Sequence, residues 1–350
     1  MAAAEGRPVF FDLVTPYDNY WSAETEEARE TPQAIGWMQT AYLVFLVSIA
    51  IGTILLALHN WRRGRGDPRG SLRIAICVLA SSLLYWVVTK HHVASLNEES
   101  VLLVIALGNA LALALLAWVL YMAFEPYARR LWPEALVSWN RLLAGRFTDP
   151  LVGRDMLIGF LFGIGFLLLT NLASLAPKWM GLPPSVPLLW GVQALNGGRV
   201  AFGQIMLLPL IGLSVPLGHF MLLLLLRILL RKQWLAAVAY SIILSLANAL
   251  QIAAQGESDM PAMLLVVGAL TGLLMAALLL LVLTRFGLLA AGACFLMANL
   301  IAAYPVSLNT SAPYFSYSLF GVVLAIVIAV VAFYIALAGR PMFGDSLIKE

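Results

Sequence analysis

Charged side chains are scarce in this chain: 21 Lys and Arg with 18 Asp and Glu make up 11% of 350 residues, where a soluble domain carries roughly 25%. So few charges cannot coat a water-soluble body of this length, and lipid must be the solvent for most of its surface. Cysteine is nearly absent too. Cys77 and Cys294 each lie within an apolar run with no CxxC partner or ligand cluster nearby. This excludes a disulfide framework and a zinc site, and leaves two small packing residues. The first 35 residues lack the basic and apolar regions of a signal peptide, so insertion must rely on internal spans.

What the chain has in abundance is apolar length, with 62% of its residues hydrophobic. A hydrocarbon core of about 30 Å needs around 20 apolar residues per helix. Nine segments qualify: Gly36 to His59, Leu72 to Thr89, Ser100 to Phe124, Met156 to Ser174, Phe202 to Leu226, Leu235 to Ala254, Pro261 to Leu283, Phe286 to Ala303 and Tyr317 to Leu337. The expected fold is an all-α, polytopic integral membrane helix bundle. It has a tail over 1–35, a helical domain over 36–338 and a C-terminal tail over 339–350.

Lysine and arginine are retained on the cytoplasmic side during insertion, so alternate connections reveal orientation. Arg62, Arg63, Arg65, Arg69, Arg73, Arg129, Arg130, Arg141, Arg146, Arg154, Arg227, Arg231, Lys232, Arg285, Arg340 and Lys349 fall on one side. Arg7, Arg29, Lys90, Lys178 and Arg199 fall on the other. The split predicts an extracytoplasmic N-terminus, with Glu24, Glu26, Glu27 and Glu30 outside, and a cytoplasmic C-terminus. The basic excess then reports topology, and nucleic acid is not an expected partner.

The stretch ARRLWPEALVSWNRLLAGR, Ala128 to Arg146, concentrates arginine and tryptophan between two apolar runs. Pro133 suits the first turn of a helix and Gly145 its C-terminal cap. Trp132, Ala135, Leu136, Trp139, Leu142 and Leu143 form one apolar stripe over 132–145. An interfacial amphipathic helix on the cytoplasmic side is expected. Arg129, Arg130, Trp132, Trp139, Arg141 and Arg146 would meet anionic lipid headgroups. A helix tucked under the bundle as a plug fits the pattern equally well.

EPYARRLWPEALVSWNRLLAGRFTDPLVGRD resembles a segment in the C-terminal membrane region of large bacterial serine/threonine protein kinases. So do GRPVFF, HNWRRGRGDPRGSLRIA, LLRKQWLA, RFGLLA and AGRPMFGDSLIKE. The resemblance implies the bacterial inner membrane, a kinase or other signalling protein as partner, and an extracytoplasmic linker for residues 1–32. It carries no catalysis over: the chain has no glycine-rich nucleotide loop, VAIK lysine, HRD or DFG, so it cannot be a kinase by itself.

No Asp or Glu falls well inside the nine spans, which lowers the expectation of a proton- or cation-coupled carrier. His219 is the titratable group deepest in a span, about 12 Å from Arg227 at 1.5 Å per residue, and is read first as an interhelical hydrogen-bonding group. GLSVPLGH, Gly212 to His219, does not make a serine hydrolase. Ser214 and His219 sit about 140° apart on a helix and meet only if Pro216 breaks it. Ser241, Ser245 and Asn248 form a polar stripe with Gln251 after it. Asn171, Gln204, His219, Asn248, Gln251 and Asn299 would make an intramembrane polar cluster if their helices converge, either as glue between helices or as a small hydrated cavity. The pairs Gly159/Gly163 and Gly268/Gly272 are GxxxG spacings that permit close helix approach. NGGR, Asn196 to Arg199, reads as a turn before an anion nest, and His91 and His92 with Glu98 and Glu99 as loop residues before a metal site.

No catalytic constellation, cofactor motif or metal set emerges. The expected function is a non-enzymatic sensory or anchoring membrane module. A transporter or channel using the polar cluster, and an anionic-lipid-binding protein, are the alternatives.

Overall fold

The computed structural model describes residues 2–4, 7–10, 33–90, 92–179, 193–255, 262–304, 306–307, 309–312 and 314–338. Ala2–Ala4 (β1) and Arg7–Phe10 (β2) pair as a small antiparallel hairpin. The remainder is helical. α1 is Gln33–Arg62, α2 Pro68–Thr89, α3 Leu96–Leu131, α4 Val137–Leu143, α5 Pro150–Trp179, α6 Gly198–Leu230, α7 Gln233–Gln255, α8 Ala262–Arg285, α9 Gly287–Ala303 and α10 Phe315–Leu337. Single 3₁₀ turns occupy Pro133–Leu136 and Gln193–Asn196. Each of the nine expected spans is a helix. Eight are long and apolar enough to cross a bilayer, and α9 is a shorter apolar helix. The chain is a polytopic membrane helix bundle.

The bundle is organised around α9. Twelve of its 17 residues are buried, and it packs against α5, α6, α8 and α10. Its sequence, GLLAAGACFLMANLIAA, is rich in small residues, which lets neighbouring backbones approach closely. Gly159 and Gly163 of α5 face it: a Cβ on Gly163 would lie 2.5 Å from the Cys294 carbonyl oxygen, and one on Gly159 would overlap that of Ala290. Gly268 and Gly272 of α8 do the same against α7, where a Cβ on Gly272 would stand 2.7 Å from Ser245 Cα. Both GxxxG pairs are packing seams. α10, by contrast, buries only Ser318, Gly321 and Ala332, and its exposed Val and Ile face the surroundings as a lipid-contacting helix does.

Asp-Pro begins two helices. Asp67 Oδ1 accepts the N–H of Gly70 at 2.9 Å, and Asp149 Oδ1 that of Leu151 at 3.0 Å, with Pro68 and Pro150 occupying first-turn positions where a missing N–H costs nothing. The longest helix, α3, passes through Pro126. Proline there cannot donate to the Met122 carbonyl. Asn60, 1% exposed at the end of α1, supplies the donor: its Nδ2 bonds Met122 O at 3.0 Å and Ala123 O at 3.1 Å.

The segment 132–145 departs from the expected surface helix. It divides into the 3₁₀ turn and α4, with Gly145 just beyond at φ +80° as the expected cap. Its apolar stripe turns inward. Trp139 is 0% exposed and shares a core cluster with Tyr121 and Leu136, so its indole is covered by protein. The Ala135 backbone is pressed against Gly287, the first residue of α9, where a Cβ would come within 2.5 Å of Ala135 O and φ is +89°. The physical reason is that the same stripe serves lipid or protein, and the ends of α3, α5 and α9 offer a protein groove closer at hand. The segment is a plug beneath the bundle.

Candidate functional site

Among the described residues, the connections at 63–67, 132–149 and 231–232 meet at one end of the bundle and those at 90–95 and 197 at the other, as the basic-residue count groups them. At the arginine-rich end Arg73 Nη1 donates to Leu143 O at 2.6 Å, tying α2 to the plug, and Arg227 lies over the Trp132 ring, 5.1 Å from its centroid. At the arginine-poor end Arg199 bonds the end of α2, and the Tyr304 hydroxyl donates to Ala201 O.

Of the six residues expected to meet headgroups, several are already engaged. Arg129 pairs with Glu125 one turn earlier, whose carboxylate is 1% exposed. Both carboxylate oxygens of Asp149 lie 2.7 Å from Arg141 Nη1. That hydrogen bond, helped by the Leu151 N–H, holds the Asp149 carboxyl below the usual carboxylate range. Trp132 packs edge-on to Phe220, and Trp139 is interior. Arg130 and Arg146 are the two that remain exposed with no ion pair among the described residues.

The six intramembrane polar residues do not form one cluster. Gln204 and His219 share α6 but stand 15 residues, about 22 Å, apart along it. Asn171 is exposed and donates to Leu167 O of its own helix at 3.1 Å. Gln251 is exposed, and Asn299 is half-buried in α9. Asn248 Nδ2 donates to Gly268 O at 2.8 Å, and Ser245 Oγ to Ala269 O at 2.6 Å, so the polar stripe of α7 is glue along the glycine seam of α8. His219 stacks on Phe295 and sets Nδ1 3.0 Å from the Tyr240 hydroxyl, an interhelical bond. Ser214 lies apart from it, because α6 is one continuous helix through Pro209 and Pro216.

The arginine-poor end holds the most articulated polar site. The last carbonyls of α2 have no intrahelical donors. Arg199, which follows Gly197 at φ +124°, fills that need from the first turn of α6, with Nε 3.2 Å from Val88 O and Nη2 2.9 Å from Lys90 O. The NGGR turn therefore aims its arginine at a helix end, not at an anion. His92 adds a second tie: Nδ1 meets Glu99 Oε1 at 2.6 Å, Nε2 lies 3.0 Å from Val87 O, and the Val93 N–H donates to Glu99 Oε2 at 2.9 Å. His91 lies outside the described residues.

A carbonyl and an ionised carboxylate only accept, so both ring nitrogens of His92 must carry hydrogens, and the site selects the imidazolium. The Glu99 hydrogen bond, and then that to Val87, raise its pKa from the ordinary 6.5; slight burial and the nearby Arg199 oppose them. The clip's contribution to stability is therefore complete below pH 6.5 and is lost as pH rises through the raised folded-state value.

Several of these residues escape sequence reading. Asn60 bonds carbonyls more than 60 positions away, and nothing local marks it. Glu125 sits one residue beyond the third expected span and so is not an intramembrane carboxylate by any window, although Glu-Pro inside a helical run is a visible irregularity. No family model matches the chain, and no curated protein or solved structure matches it either.

Proposed function

We propose that this multi-pass membrane protein is a non-catalytic sensory module, in which the arginine-poor end detects charge or pH and α2 transmits its state to the arginine-rich end. The observation that carries the reading is the pair of attachments on α2. His92 and Arg199 grip its last carbonyls. Toward the other end Asp67 caps its first turn, and Arg73, about 22 Å of helix from the gripped carbonyls, joins it to the plug. Such a helix moves as a body when one grip is released. Among the described residues, Glu99 of α3 and Arg199 of α6 are the charged groups that act on His92, and Trp86 packs edge-on against it at 5.1 Å. The dispersed polar residues give less support to a transporter.

Nitroxides at Arg69→Cys and Arg146→Cys, both exposed and at the arginine-rich end, test this in nanodiscs by pulsed EPR. The inter-label distance distribution is expected to change between pH 5.5 and 8.5, and His92→Phe to hold one distribution at both. An unchanged wild-type distribution would overturn the reading.

The sided arginines further support a cytoplasmic plug and an extracytoplasmic N-terminus, and the resemblance to the kinase membrane region suggests a bacterial inner membrane. The resemblance of Glu125 to Asp155 to the membrane region of serine/threonine kinases suggests a kinase or other signalling protein as the partner at the arginine-rich face. In intact cells, a cysteine at Arg146 is expected to be shielded from an impermeant maleimide and one at Glu24 to be labelled. Equal labelling of both would reverse the assignment.

A further inference from the structure

Between α6, α7 and α8 lies a cleft of about 420 Å³. Its walls are apolar along Leu223, Ala236, Ala277, Leu280 and Leu281. Two hydroxyls reach it, Ser241 and Thr284, and each donates to a carbonyl of its own helix, Ala237 O at 2.9 Å and Leu280 O at 2.6 Å. Neither is left seeking a partner in the cleft. From Gln233 to Ser241 it is about 12 Å deep at 1.5 Å per residue.

One end is different in kind. Arg227 and Gln233 stand at the mouth with the Trp132 ring as a wall. Arg227 Nη1 donates to Gln233 Oε1 at 2.6 Å, and the guanidinium lies over Trp132. Most of its five N–H donors remain, and it has no carboxylate among the ion pairs of the described residues. Arg231, Lys232 and Arg285 are exposed beside it, and no Asp or Glu occurs over 227–233 or 284–287. A mostly apolar slot with a cationic end that no described carboxylate pairs complements one type of molecule: an acyl chain carrying an anionic headgroup.

We infer that this cleft is a binding site for an anionic phospholipid, with one acyl chain between α6 and α8 and the phosphate oxygens on Arg227. Gln233 orients the guanidinium, and Trp132 holds its face. Arg231, Lys232 and Arg285 add attraction for the negative headgroup. The site is separate from Arg129, Arg130, Arg141 and Arg146, and does not depend on the sensory reading.

The test is native mass spectrometry of the detergent-purified full chain after equilibration with equimolar phosphatidylglycerol and phosphatidylcholine. One phosphatidylglycerol is expected to be retained at least about tenfold over phosphatidylcholine, as an interaction near 1.4 kcal/mol would give. Arg227→Gln is expected to abolish that preference. Ala277→Trp, which fills the slot and leaves the mouth intact, is expected to abolish retention. The double variant Arg129→Gln/Arg130→Gln is expected to leave it unchanged. Helicity by circular dichroism accompanies every variant, so that loss of fold is not read as loss of site. Equal retention of both lipids, or retention unaffected by Ala277→Trp, would overturn the proposal. Displacement of the lipid signal by millimolar inorganic phosphate would also overturn it, since a free anion would then suffice.

Discussion

Replacing Gly159 with valine is expected to destabilise the bundle by about 3 kcal/mol, at the upper end of overpacking costs. The added atoms point at the Ala290 carbonyl and the Ala293 methyl of α9, and a Cβ alone would stand 2.5 Å from the latter. Backbone on a buried helix cannot swing aside as a flexible side chain does, so α5 must move bodily and loses its contact with α9 along the seam. Gly163→Val acts on the same seam through the Cys294 carbonyl and Met297, so the two changes together are expected to be non-additive. Gly218 provides the control. It lies in α6 with nothing within 4 Å of where an added methyl group would stand, and Gly218→Ala is expected to be neutral or to stabilise by up to about 1 kcal/mol through helix propensity. Loss of helicity during titration of mild-detergent micelles with a denaturing detergent measures all three. A Gly159→Val protein as resistant as the parent would mean that the seam is looser than its distances imply.

The second large effect belongs to Asn60. Asn60→Leu removes the donor to the carbonyls of Met122 and Ala123. Met122 O then has no partner, because Pro126 has no N–H to offer, and a buried unsatisfied carbonyl costs about 1–3 kcal/mol. A loss of about 3 kcal/mol is expected in the same titration. Pro126→Ala restores an N–H in register with Met122 O. In that background Asn60→Leu is expected to cost less than half as much. Equal costs in the two backgrounds would show that Asn60 matters for packing alone.

These two sites differ in how far the chain's text discloses them. The GxxxG spacings are visible, because small residues four apart on an apolar helix have few other uses. Which helix they face is not visible, since that depends on contacts between α5 and α9, elements far apart in the chain. The nine apolar runs and the Gly145 cap are local properties and were legible for that reason. The plug was only half legible: its stripe of Trp139, Leu136 and Leu142 states that one face avoids water, and is silent on whether lipid or protein covers it. The polar residues illustrate the limit further. Asn248, Gln204 and His219 read as one set when only their polarity is known, but position along and around each helix decides the outcome, and the neighbours that Asn248 and His219 meet are remote in sequence. His92 and Arg199 act through the backbone of another helix's end, a partner that carries no residue signature at all.

α9 has one more implication. Its 17 residues rise about 25 Å, less than a typical hydrocarbon thickness of about 30 Å. Surrounded by protein, this hub feels no hydrophobic mismatch, whereas the outer helices α1 and α10, with their broad lipid-facing surfaces, do. Thickening or thinning of the bilayer therefore loads the rim and leaves the axle at rest, so any tilt it produces is taken up as shear along the small-residue faces between them.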